Sequence, residues 1–133
     1  MNSRSILLVT TLRFSIVSLA LLAGCAATIT AMDGRRLRLN SVDFRVYLEQ
    51  VFREQNSVAT ALAFAQDEVR GTGYESLLQL EDVLLDACAD LNALAAARRD
   101  NRALSLRERA RMAATAPGCE VTTQRTRAAL DVL

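Results

Sequence analysis

SVDFRVYLEQVFREQNSVATALAFAQDEVRGTG, residues 41–73, is the stretch whose reading decides the fold. Phe44, Leu48, Val51, Val58, Leu62, Ala65 and Val69 recur at steps of three, four or seven, which is one face of a long α-helix. Tyr47 lies on the same face, while Asp43, Glu49, Arg53, Asn56, Thr60 and Asp67 take the opposite side. Ser41 supplies an N-cap and Asp43 a first-turn acid. Gln55 interrupts the apolar row, and a flank position reaching solvent is its expected fate. Val46, Phe52 and Phe64 fall off the stripe, so the helix is expected to meet more than one neighbour. Gly71-Thr72-Gly73 ends the pattern, with glycine available for a left-handed C-terminal cap.

A second helix is predicted from Tyr74 to Arg99, with Leu77, Leu80, Leu84, Cys88, Leu91 and Ala95 on one face and Glu75, Asp82, Asp86 and Asp90 on the other. Acids crowd its first half and Arg98 and Arg99 close it, as the helix dipole favours. A three-residue turn between two long amphipathic helices implies an antiparallel hairpin. Ser105-Leu106-Arg107-Glu108 reads as a capping box that opens a short helix to about Thr115. Ala116-Pro117-Gly118 is expected to end it. A last helix is predicted from about Glu120 to Val132, with Leu130 and Leu133 as its large anchors.

Composition supports helix over sheet. The chain has 133 residues with five glycines, one proline and no tryptophan, and alanine is dense from Ala87 to Ala97. There is no histidine, which removes the usual general base, the commonest metal ligand and the physiological pH switch. All sixteen basic residues are arginine, so a P-loop, which needs lysine, is excluded with the histidine-based triads and zinc motifs. No Cys-x-x-Cys pair supports redox chemistry, and no calcium loop is present. Glu81, flanking the apolar face of the second helix, is the carboxylate best placed for a glycosidase-type pair, although such a residue usually reaches solvent or pairs with arginine. No catalytic residue, cofactor or metal is expected. The near balance of sixteen basic and fifteen acidic residues is no nucleic-acid footprint.

The N-terminus carries a different signal. Arg4 and Arg13 are its only charges, and the uncharged run from Phe14 to Leu22 follows. Nine helical residues span roughly 13 Å against a bilayer core of about 30 Å, too short for a permanent span. Leu22-Ala23-Gly24-Cys25 then closes the run with two small residues directly before a cysteine. This order resembles the lipobox of bacterial lipoprotein signal peptides, over residues 1–25 only. The resemblance implies cleavage before Cys25 and lipidation of Cys25 (a palmitate-type acyl anchor). It also implies life in the cell envelope. Ala26, where an aspartate would retain the protein at the inner membrane, implies the outer membrane facing the periplasm.

In that oxidising compartment, with Cys25 capped by lipid, Cys88 and Cys119 remain as an even pair and are expected to form a disulfide. The sequence then divides into a signal peptide at 1–24, a lipid-anchored tether at 25–40 and a helical domain at 41–133. The expected fold is all-α: a long antiparallel helical hairpin plus two short helices, a disulfide-stapled small bundle.

Arg98, Arg99, Arg102, Arg107, Arg109 and Arg111 crowd one stretch with only Asp100 and Glu108 as acids. They are candidate interaction residues for an acidic partner, lipid phosphates or peptidoglycan carboxylates, or else a solvated turn pairing with helix acids. Phe52 and Phe64 are candidate apolar anchors. The expected function is a membrane-anchored, non-catalytic structural or interaction module of the envelope, with an envelope protein as partner and no nucleic acid. A periplasmic ligand-binding or enzyme-inhibitor module is the alternative. A coherent exposed apolar patch would favour the first, and an enclosed apolar cavity the second.

Overall fold

The computed structural model describes residues 27–69 and 71–132. The elements are β1 (Thr28–Thr30), β2 (Arg36–Arg38), α1 (Val42–Glu68), α2 (Thr72–Ala87), α3 (Ala89–Arg99) and α4 (Leu106–Leu130). They form a small all-α bundle, stapled by the Cys88–Cys119 disulfide, with one two-stranded ribbon at its edge. The signal segment, Cys25 and Ala26 lie outside the described residues.

Helix α1 follows its sequence pattern. Ser41 Oγ accepts the Phe44 N–H at 3.1 Å, and Phe44, Tyr47, Leu48, Val51, Val58 and Leu62 are buried along one face. Gln55 departs from expectation. It is only 2% exposed, and its Oε1 has no hydrogen-bond partner among the described residues. Helix periodicity places it in the core row, and packing against the neighbouring elements encloses its Oε1. The turn differs as well. Helix α1 closes on Val69 with extended backbone, and Gly71, at φ +82°, is the residue that opens α2. That conformation suits glycine alone.

The predicted second helix is split. Cys88 has φ −102° and ψ 7°, which separates α2 from α3. The break is mild, because Cys88 N–H still bonds the Leu84 carbonyl at 3.1 Å and the Cys88 carbonyl accepts Asn92 N–H at 2.9 Å. Leu77, Leu84 and Cys88 are wholly buried. Conversely, the two short helices expected around Pro117 are one helix of 25 residues with Pro117 inside it. A proline within a helix costs about 3 kcal/mol through a lost hydrogen bond and a clash. Here Ala113, Ala116 and Cys119 flank it and are all buried, so tertiary packing holds the turn that the local sequence would break.

Cross-helix pairs set the topology. Tyr47 and Glu54 of α1 meet Glu120 and Gln124 of α4, so these helices run parallel. Cys88 bonds Cys119, and Asp90 meets Thr115 and Arg111, so α2 and α3 run antiparallel to α4. Gln66 Nε2 donates to Glu81 across the α1–α2 turn at 2.8 Å. The result is three rods, the middle one jointed at Cys88. Helix α4 presents a seam of small buried residues, Ala113, Ala116, Cys119, Thr123 and Thr126, and this lets it lie close. The Cα atoms of Cys88 and Cys119 are 4.7 Å apart, with both residues buried. Buried Thr123 satisfies its hydroxyl by donating to the Cys119 carbonyl at 2.8 Å.

Part of the stretch read as a tether is folded. β1 and β2 pair antiparallel, with Ile29 opposite Leu37, and Gly34 at φ +83° turns the ribbon. Leu37 and Ala31 are buried against the bundle. Glu120 Oε2 clamps the ribbon, accepting Met32 N–H and the Tyr47 hydroxyl, each at 2.9 Å. Burial first, then the Glu120 carboxylate, raises the Tyr47 phenol above its ordinary range. The Asp33-Gly34 pair between the alternations Thr28-Ile29-Thr30 and Arg36-Leu37-Arg38 carries this turn in the sequence.

Two stability outcomes follow from this packing. Replacing both Cys88 and Cys119 by alanine should lower unfolding free energy in urea by about 3–4 kcal/mol, the value for a closed loop of this length, across a sequence separation of 31. Gln55→Leu should raise it by about 1–2 kcal/mol, because it removes an unpaired buried acceptor at similar volume. A loss of stability in Gln55→Leu would mean that the amide is satisfied.

Candidate functional site: an arginine-ringed end of the bundle

The connection between α3 and α4 is built from two standard helix ends. Asn101 takes φ +52°, a left-handed position that asparagine tolerates. Its N–H bonds the Arg98 carbonyl at 3.2 Å, and Arg102 N–H bonds the Ala97 carbonyl at 2.8 Å. This is a Schellman closure with asparagine in the usual glycine position. Three residues on, Ser105 and Glu108 form the predicted capping box, with both reciprocal hydrogen bonds present. Two tight ends in succession fix Arg98, Arg102 and Arg109 around one corner of the bundle.

Those three arginines line a hollow of about 320 Å³ with Arg45 from α1. Its floor is apolar: Leu39, Phe44, Leu48, Leu94 and Met112. A second, wider depression of about 740 Å³ shares Leu39, Phe44, Arg109 and Met112 with the first, and adds Arg38, Leu106 and Ala27. No carboxylate lines either one. Arg102 is held by Glu108, with Nη1 3.1 Å from Oε1 and 3.3 Å from Oε2. Arg38, Arg45, Arg98 and Arg109 make no ion pair among the described residues. Leu106 is 79% exposed at the rim. The arrangement is suited to hold an anion over an apolar surface. Both depressions are open clefts at the end of the rods.

The remaining predicted residues fall elsewhere. Arg99 pairs with Asp100 at 3.4 Å, and Arg111 with Asp90 at 3.6 Å. Arg107 is exposed and lines neither depression. Phe52 is half-buried and packs on the core, whereas Phe64 is 66% exposed. Exposed Val46 shares the outer face of α1 with Phe64 but lies 18 residues earlier, about 27 Å along the helix axis. These three therefore do not form one patch. The six-arginine stretch is thus divided: Arg98, Arg102 and Arg109 converge, while Arg38 and Arg45 join them from distant sequence. Nothing in the local pattern links Arg38 and Arg45 to that stretch, since the bundle topology alone brings them there.

Glu81 is engaged by Gln66, and no group of three or more metal-binding side chains is found among the described residues. Among them, no helix is long and apolar enough to cross a membrane. Against known proteins, no family model, curated protein or solved structure matches this chain.

The capping box has a pH signature. The Ser105 backbone N–H first, then the Ser105 side chain and Arg102, lower the Glu108 carboxyl from its ordinary 4.5 to about 2. A lowered folded value means that the cap stabilises above 4.5 and is lost as pH falls toward about 2. An NMR titration of the Glu108 carboxyl should find its midpoint near that lower value. Arg102→Gln should raise the midpoint only part of the way, because the Ser105 N–H remains. A midpoint at the ordinary value would show that the box is open.

Proposed function

We propose that this chain is a lipid-anchored envelope lipoprotein whose helical domain is a non-catalytic interaction module at the periplasmic face of the outer membrane. The observation that carries the proposal is Leu22-Ala23-Gly24-Cys25 directly after an uncharged run. Two further features support it. The buried Cys88–Cys119 disulfide is of a kind that persists in oxidising compartments. Ala27, two residues after Cys25, lines the wider depression at the end of the bundle that carries the arginines. The interaction reading draws on that basic, apolar-floored end, which meets a partner through arginine and leucine side chains. A non-catalytic role accords with a chain that has no histidine or lysine.

A ligand-binding role is favoured by the same end, since its floor is apolar and its rim is polar. An envelope protein partner and a bound amphiphile would use the same side chains.

Mass spectrometry of the membrane-extracted protein should find Cys25 acylated at a new N-terminus. Cys25→Ser should move the domain out of the membrane fraction or leave the precursor unprocessed. An unmodified N-terminus that begins elsewhere would sink the anchor.

A further inference from the structure

We propose that the arginine-ringed end of the bundle is a binding site for an anionic phospholipid, with the phosphate held by arginine and the first part of an acyl chain on the apolar floor. The charge pattern carries the choice of ligand. Five guanidinium groups, on Arg38, Arg45, Arg98, Arg102 and Arg109, surround two connected depressions that no carboxylate lines. Four of them have no ion pair among the described residues, so their charge is available to an incoming anion. Guanidinium forks match phosphate oxygens in planar, two-point geometry.

The floor excludes a small soluble anion as the best fit. Leu39, Phe44, Leu48, Leu94 and Met112 would gain nothing from inorganic phosphate, but they suit methylene groups. Leu106 extends the apolar surface outward at 79% exposure, on the depression that Ala27 also lines. An exposed leucine beside unpaired arginines is the pattern of a surface that meets the headgroup and acyl boundary together.

Position supplies the source of the lipid. This inference rests on the reading of Cys25 as the anchor. Ala27 lines the wider depression, and two residues of chain reach at most about 7 Å. A lipid anchor at Cys25, within that reach of Ala27, would bring the bilayer to this end of the bundle. The arginines then bear on lipid headgroups within a Debye length, where their attraction is least screened.

The test uses the purified full-length chain, acylated or not, in a neutral maltoside detergent, with native mass spectrometry to count retained lipid. Phosphatidylglycerol should be retained as one molecule per chain, and phosphatidylcholine at least tenfold less well. Glycerol phosphate, which is the headgroup without chains, should not compete at equal concentration. The triple variant Arg45→Gln, Arg98→Gln, Arg109→Gln should weaken phosphatidylglycerol retention at least tenfold with helical content unchanged, since all three side chains are exposed and unpaired among the described residues. Leu106→Glu, at an exposed first-turn position, should weaken it as well. Equal retention of the two lipids, full retention by the triple variant, or equal competition by glycerol phosphate would each overturn the proposal. The assay does not depend on acylation of Cys25. Failure here with Cys25 acylated overturns the lipid site alone, and an unmodified Cys25 overturns the anchor alone.

Discussion

The Cα atoms of Cys88 and Cys119 stand 4.7 Å apart, and this one covalent contact governs how the rods lie. It joins the joint of the middle rod to the centre of α4. Two departures from helical regularity sit beside it: Cys88 itself, at φ −102° and ψ 7°, and Pro117, two residues before Cys119. Each would weaken an isolated helix. The proline costs about 3 kcal/mol, and a disulfide closing a loop of this length contributes about 3–4 kcal/mol, so the staple is of a size to offset the irregularity next to it. The small residues of α4 have the same logic. A seam of alanine, cysteine and threonine buries little apolar area per residue but admits close approach, and close approach is what the disulfide needs.

The influence of that contact extends to the ribbon. Glu120 follows Cys119 directly, so the bond that positions one also positions the other. Its carboxylate then accepts from Met32 N–H and from the Tyr47 hydroxyl. A strand ribbon of three residues per strand has no independent stability. Its attachment through Glu120, together with burial of Ala31 and Leu37, makes it part of the domain.

Charge is sorted along the bundle. The acids of α2 lie away from the arginines of the α3–α4 connection, and only a few of those arginines find partners. Arg99 and Arg111 are matched, by Asp100 and Asp90, and Arg102 by Glu108. Arg98 and Arg109, which have no ion pair among the described residues, converge with Arg102, Arg38 and Arg45 on an apolar floor, while Arg107 lies outside it. A solvated turn would scatter them; here the Schellman closure at Asn101 and the capping box at Ser105 hold the turn in one shape.

The sequence by itself determined the all-α class, the apolar face of α1, the Ser41 cap and the Ser105–Glu108 box. These depend on residues within one or two helical turns, where spacing fixes geometry. The Cys88–Cys119 pairing was legible by count, since setting Cys25 aside as the expected lipidation site leaves two cysteines. Tertiary structure decided the rest. Whether Pro117 ends a helix or lies inside one turned on packing around Ala113, Ala116 and Cys119. Whether Gln55 reaches water turned on neighbours from other helices. The signal for the ribbon was present in Asp33-Gly34, yet strands so short depend on Glu120, nearly ninety residues away, to persist. The binding end shows the same division. Arg98, Arg102 and Arg109 were visible as a local excess of charge, but their selection from among six, and their union with Arg38 and Arg45, came from the parallel placement of α1 beside α4. Charge density is a property of the chain, whereas convergence on a common floor is a property of the fold.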